Sequence, residues 1–276
     1  MKLVAAVDEV ASETQLSEGW TYALLPEPSV ISIDVAVSGC TVKSFHGKKF
    51  KKADEGDYRT LLTAVRRELE QTAPSLLVST LLERSWKNTL VPFAKQLISD
   101  GFALAGLTEP TAIRIGEHLF PGLMTLQRLI DGVSAPRVEI EIDSDDISEK
   151  LGLATVQVRG QSLPVAKLLT TAYNAYRKKQ FPRSPEVAPG GLRAMKDAKS
   201  RAIQVADVFG NFTLAYAFVK LGNTSKTRVV KAMVLEDVFG DILDPGLVRK
   251  ACTLVGDNDI QLNYSGGLTL RIGQLD

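Results

Sequence analysis

Three carboxylates, far apart in the chain, stand where a bare charge is costly. Asp207 lies in the run Asp197-Ala-Lys-Ser-Arg-Ala-Ile-Gln-Val-Ala-Asp-Val-Phe-Gly-Asn-Phe212, with Val205, Ala206, Val208 and Phe209 around it. A carboxylate in such surroundings needs a metal ion, a basic side chain or backbone N–H groups to offset its desolvation. A plainer alternative is an Asp near a helix start with its charge in water. Asp8 closes the apolar run that begins at Met1, and Asp143 closes Arg137-Val-Glu-Ile-Glu-Ile-Asp143. Oxygen donors on separate rigid elements suit a hard cation, Mg²⁺ or Mn²⁺. Glu9 is a further candidate ligand beside Asp8. Glu83 is either a fourth ligand or a helix-initiating acid. Gln204, three residues before Asp207, shares its side of the helix. Lys199 and Arg201, with Lys196, bring positive charge to the same stretch.

The elements that must carry these groups follow from periodicity. Ile203, Ala206, Phe209 and Leu214 fall near helical spacing, which predicts a buried helix. Leu3 to Val7 reads as a buried strand. Val138, Ile140 and Ile142 share one strand face, while Glu139, Glu141 and Asp143 share the other. Strands are also predicted at Trp20 to Leu25, Val30 to Val37, Leu76 to Leu82 and Ala154 to Val158. The first three of the chain would form an antiparallel meander. Asp57 to Thr72, Trp86 to Ser99, Thr111 to Ile130 and Pro164 to Arg177 read as helices. Arg228 to Phe239 fits either a strand or a helix, and Pro245 to Val255 fits a short helix. Ser265-Gly-Gly267 between two apolar runs, Ile260 to Tyr264 and Leu268 to Ile272, signals a hairpin.

Two basic stretches stand out. Lys43, His46, Lys48, Lys49, Lys51 and Lys52 crowd between Cys40 and Lys52. They form either a solvated loop or a guide for phosphates. Arg177 to Gly191 has three prolines and a Gly-Gly end, with Tyr176 and Phe181 among its cations; a linker or a substrate-covering loop both fit.

In order along the chain, Val7-Asp-Glu, His46-Gly-Lys-Lys-Phe50, the strand ending at Asp143, and Lys199-Ser with Gln204-Val-Ala-Asp207 resemble the domain-of-unknown-function 3800 family, which is similar to ribonuclease H-like proteins. The resemblance spans roughly residues 1 to 220, and Val10-Ala11 stands where the family has Ser-Gly. It implies an α/β fold, a ribonuclease H-like mixed sheet flanked by helices. It also implies two Mg²⁺ ions held by Asp8, Asp143 and Asp207 for phosphodiester hydrolysis of DNA or RNA. Lys48, Lys49, Lys199, Arg201 and Gln204 would then contact the substrate. The alternative is a catalytically inactive nucleic-acid-binding or regulatory module of the same fold.

Composition narrows the field further. The chain has 276 residues, 45% of them hydrophobic and 24% charged, with net charge +1. That is an ordinary globular composition, and any nucleic-acid contact must be a local basic patch. Residues 1–222 are expected to form the main domain and 223–276 an extension packed on it. Two cysteines, Cys40 and Cys252, give neither a disulfide framework nor zinc spacing. With two histidines, His46 and His118, chemistry built on histidine clusters has no support. No apolar run suggests a membrane span and no leader pattern is visible, so the expected location is the cytoplasm. Nucleotide-binding and hydrolase motifs rich in glycine are absent.

Overall fold

The apolar run after Met1 becomes an interior strand of a mixed sheet. The computed structural model describes residues 1–11, 16–83, 120–131, 137–143, 155–158, 160–220, 222, 224–240, 252–255, 261–264 and 268–274. Within these, the strands are β1 (Lys2–Ala11), β2 (Leu16–Pro26), β3 (Ser75–Glu83), β4 (Arg137–Asp143), β5 (Thr155–Val158), β6 (Gln161–Pro164), β7 (Leu192–Met195), β8 (Cys252–Val255), β9 (Gln261–Tyr264) and β10 (Leu268–Gln274). The helices are α1 (Glu27–Ala36), α2 (Glu55–Gln71), α3 (Phe120–Asp131), α4 (Val165–Gln180), α5 (Arg201–Lys220) and α6 (Lys226–Phe239).

The main sheet has the order β10-β3-β2-β1-β4-β7. β1, β2, β3 and β10 pair antiparallel, whereas β4 runs parallel to β1 and β7 parallel to β4. Val4, Ala6, Ala23, Leu25 and Leu77 pack on one side against Ile33 of α1, Leu62 and Val65 of α2, and Ile203 and Ala206 of α5. Leu3, Ala5, Val138, Ile140 and Ile142 on the other side are equally buried, with α3 and α4 over that face. Burial on both faces accounts for the nearly continuous apolar run of β1. Gly122 of α3 lies so close to Trp20 of β2 that a Cβ there would stand 2.7 Å from the indole.

Fourteen of the twenty residues of α5 are buried, because the sheet covers one side and the 40–52 segment with α6 covers the other. A helix apolar nearly all round belongs inside a core. This revises the expectation about membrane spans: α5 is long and apolar enough to cross a membrane, but it is an internal helix here.

Other expectations are corrected as well. Val30 to Val37 is the helical end of α1, not a strand. Pro28 occupies its first turn, and Ser29 and Ile33 face inward, leaving Ile31 and Val35 exposed. The third antiparallel strand is therefore β3. Arg228 to Phe239 resolves as helix α6. Cys252–Val255 is strand β8, and residues 245–251 of the expected helix lie outside the described residues, as do residues 86–99 and 111–119 of two other expected helices. The anticipated hairpin is re-paired: β9 pairs with β8, while β10 becomes an edge strand beside β3. The C-terminal extension thus contributes to the main sheet, and α6 packs on α5. The basic 177–191 stretch begins inside α4 and keeps Lys178, Lys179 and Arg183 exposed. Arg177 is buried in α4 and donates to the Ser184 carbonyl at 2.7 Å, and Tyr176 packs edge-on against Phe181.

Candidate functional site

The start of α5 is fastened to the sheet by its capping residue. The Ser200 Oγ accepts the Ile203 N–H at 3.1 Å and donates to Glu141 of β4, satisfying one of the helix's orphan donors. Glu141 also pairs with Arg193 at 2.7 Å, and Glu139 pairs with Lys2, Arg137 and Arg193. The two inner acids of β4 are therefore committed to holding β1, β4, β7 and α5 together.

Along the otherwise apolar α5, Gln204, Asp207 and Asn211 recur at helical spacing, and the first two meet the backbone of the lysine-rich segment. The Phe45 N–H donates to Gln204 Oε1 at 3.2 Å, and the Gly47 N–H donates to Asp207 Oδ2 at 3.0 Å. Asn211 Nδ2 donates to the other Asp207 oxygen at 3.1 Å. Gly47 lies flat on the helix: a Cβ there would be 2.2 Å from Asn211 Cβ and 2.8 Å from the Asp207 carbonyl oxygen. Only glycine permits that approach. Tyr58 of α2 clamps the segment from the other side, donating to the His46 carbonyl at 2.8 Å and accepting the His46 N–H at 3.2 Å. Its ring stacks on Phe212 at 5.7 Å, and Phe45 and Phe50 meet it edge-on.

The His46 ring completes the junction. Its Nδ1 lies 2.7 Å from Asp197 Oδ2 and 3.7 Å from Asp207 Oδ2, and its Nε2 is 3.1 Å from Ser44 Oγ. Asp207, and then Asp197, hold the imidazole pKa above its ordinary value against the opposing effects of burial and Lys49. Lys231 of α6 lies buried 5.8 Å from the Phe50 and Phe212 rings. Burial pushes its pKa down, with the Asp207 charge acting the other way.

The three expected metal carboxylates are not gathered into one group. Among the described residues, no three His, Cys, Asp or Glu side chains are placed to hold a metal ion together. Asp8 and Asp143 do come side by side. The parallel register sets Val7 beside Ile142, so the next residues are Asp8 and Asp143, on the sheet face that α5 covers. Asp207 instead faces the 40–52 segment. Glu9 pairs with Trp20 and shares the face under α3, opposite to Asp8. Glu83 ends β3, and its side chain lies outside the described residues.

The expected substrate contacts divide in the same way. Lys48, Lys49 and Lys199 are exposed. Gln204 is buried, donating to the Asp197 carbonyl as well as accepting from Phe45. Arg201 is taken up by Asp34 at 2.6 Å, by Gln204, and by the face of Phe45 at 5.4 Å. Both are positioning residues for the segment. Sequence reasoning missed Tyr58, Asp197, Asn211 and Gly47; the polar stripe Gln204, Asp207, Asn211 on an apolar helix was the available signal.

No family model, no curated protein and no solved structure matches this chain.

Proposed function

We propose that this chain is a ribonuclease H-like protein that binds nucleic acid through the basic segment between Cys40 and Lys52. One observation carries the reading. The segment is tied by its backbone to α5 and α2, while Lys48, Lys49, Lys51 and Lys52 remain exposed on it. Cations on a pre-ordered backbone lose less freedom when they meet phosphates, and each contact releases counterions. The order β3-β2-β1 antiparallel, followed by β4 and β7 parallel to β1, supports the ribonuclease H-like part, with β10 as a further antiparallel strand at the edge. The free, buried Cys40 supports a cytoplasmic location. Fluorescence anisotropy with labelled single-stranded DNA, single-stranded RNA and a hybrid duplex tests the reading. Asp207→Asn keeps every lysine but loosens the segment, so affinity should fall about tenfold, the equivalent of roughly one charged hydrogen bond. A wild-type protein that binds none of the three nucleic acids overturns it.

Metal-dependent phosphodiester cleavage is the second reading, favoured by the parallel register that sets Asp8, inside β1, next to Asp143 at the end of β4. Asp8 and Asp143 offer two hard carboxylates on one face, and Mg²⁺ or Mn²⁺ is commonly held by one or two carboxylates plus substrate phosphates. Such an ion would polarise a phosphoryl oxygen and activate water. In this reading Asp207 holds the basic segment and takes no part in the metal site. Asp8→Asn should abolish both Mn²⁺-induced thermal stabilisation and cleavage of labelled strands. Full retention of both in that variant removes the reading.

A further inference from the structure

Where the basic segment ends, Phe50 and Lys52 form one wall of a cavity of about 350 Å³, and the start of α6 forms the other. Its remaining lining is Thr224, Lys226, Thr227, Val229 and Val230. The chemistry of this lining is divided. Phe50, Val229 and Val230 give an apolar surface, Thr224 and Thr227 give hydroxyls, and Lys52 and Lys226 are both cationic and exposed. None of these lining residues is acidic. α6 begins there with no acidic residue in its first turn and no capping side-chain hydrogen bond, so its terminal N–H groups add to the positive potential. A second cavity, beside α4 and β7, is lined by the acid Glu186 together with Lys167, and its Arg193 is paired with Glu139 and Glu141.

We infer that the cavity between Phe50 and the start of α6 is a nucleotide site. The apolar wall takes the base, and Lys52, Lys226 and the first turn of α6 take the phosphate. A nucleotide matches the division because it joins a flat, weakly polar ring to a strong anion. The volume lies at the small end of the range for small-molecule pockets, which fits one nucleotide better than a larger ligand. Phe50 is only 5% exposed, so the base would lie mainly against Val229 and Val230. The inference rests on the proposed nucleic-acid contact and deepens it: a strand following Lys48, Lys49 and Lys51 would deliver one of its bases here.

The test is calorimetric titration of the full chain with 5′-AMP, adenosine and inorganic phosphate, alongside anisotropy with a labelled oligothymidylate. Wild type should bind AMP, and bind adenosine or phosphate at least about tenfold more weakly, since each lacks half of the contacts. Lys52→Ala/Lys226→Ala, at two exposed positions, should weaken AMP by about tenfold or more. Thr227→Trp, also at an exposed position, should fill the cavity and remove AMP binding with an unchanged thermal melt. If Thr227→Trp unfolds, the lysine pair decides. Lys48→Ala/Lys49→Ala should weaken the oligonucleotide and leave AMP within about twofold, a change below one contact. Absence of AMP binding in wild type, or undiminished AMP binding in Lys52→Ala/Lys226→Ala, overturns the nucleotide site. If the oligonucleotide still binds in that case, the proposed function stands without it.

Discussion

A methyl group at Gly47 would meet both Asn211 and the Asp207 carbonyl well inside contact distance. Because one of those atoms is backbone, the segment rather than the helix must give way. Gly47→Ala should therefore destabilise by about 1–3 kcal/mol, as overpacking does, and denaturant melts will show it. Hydrogen exchange of the amides at positions 45 and 47 should speed up in the same variant. Asp207→Asn removes the charge that receives the Gly47 N–H and faces His46. It should cost about 1–3 kcal/mol and leave Mn²⁺-induced stabilisation as in wild type. A metal ligand at 207 would give the reverse: a steady or firmer apo fold and a lost metal response. His46 sets a pH dependence of definite sign. Its folded pKa is raised above the ordinary 6.5 by Asp207 and Asp197. The stability it contributes is thus complete below the unfolded value and is lost as pH rises through the folded one. The melting-temperature difference between wild type and His46→Gln should be largest at pH values below the ordinary 6.5 and shrink as the pH is raised through the folded pKa above it. A difference that grows over that range would contradict the charged pairing.

Ser200 illustrates how a single residue sets the placement of an element, because it caps α5 and bonds β4 together. Ser200→Ala should lower stability by about 1 kcal/mol for the cap alone, and more if Glu141 is left short of a donor; thermal melts measure it. At this scale the sequence was readable where a pattern was local. β1 and β4 each announce themselves by an apolar run followed by an acid, and their adjacency brings Asp8 beside Asp143; β1 nevertheless continues past the expected end at Val7 to Ala11, held by its pairing with β2. The strand expectation for α1 rests on Ile31, Ile33, Val35 and Val37, which alternate with Ser32, Asp34 and Ala36, although Val30, Ile33 and Val37 also satisfy helical spacing. The β9–β10 hairpin was misread because a glycine-rich connection also suits a strand that leaves to join another sheet. The site was half readable. Gln204, Asp207 and the lysines were visible as residues, yet their partnership joins positions 160 apart in sequence. It runs through backbone N–H groups, which no side-chain pattern displays.

For the molecule as a whole, charge is close to balanced, so binding to a polyanion must come from where the cations are held. The sheet places α5 as an internal beam, α5 fixes the 40–52 segment, and the segment presents its lysines outward. The salt dependence of binding reads the number of phosphate contacts directly, because the log–log slope falls by roughly 0.9 per contact on duplex and 0.7 on single strands. The most direct measurement compares wild type with a variant in which Lys48, Lys49, Lys51 and Lys52 are all alanine, using one labelled single strand across a salt series. The expected result is weaker binding in the variant with a slope shallower by about two to three units, four contacts at roughly 0.7 each. Equal affinity and equal slope, with both proteins folded, would contradict the placement of the nucleic-acid contact on this segment.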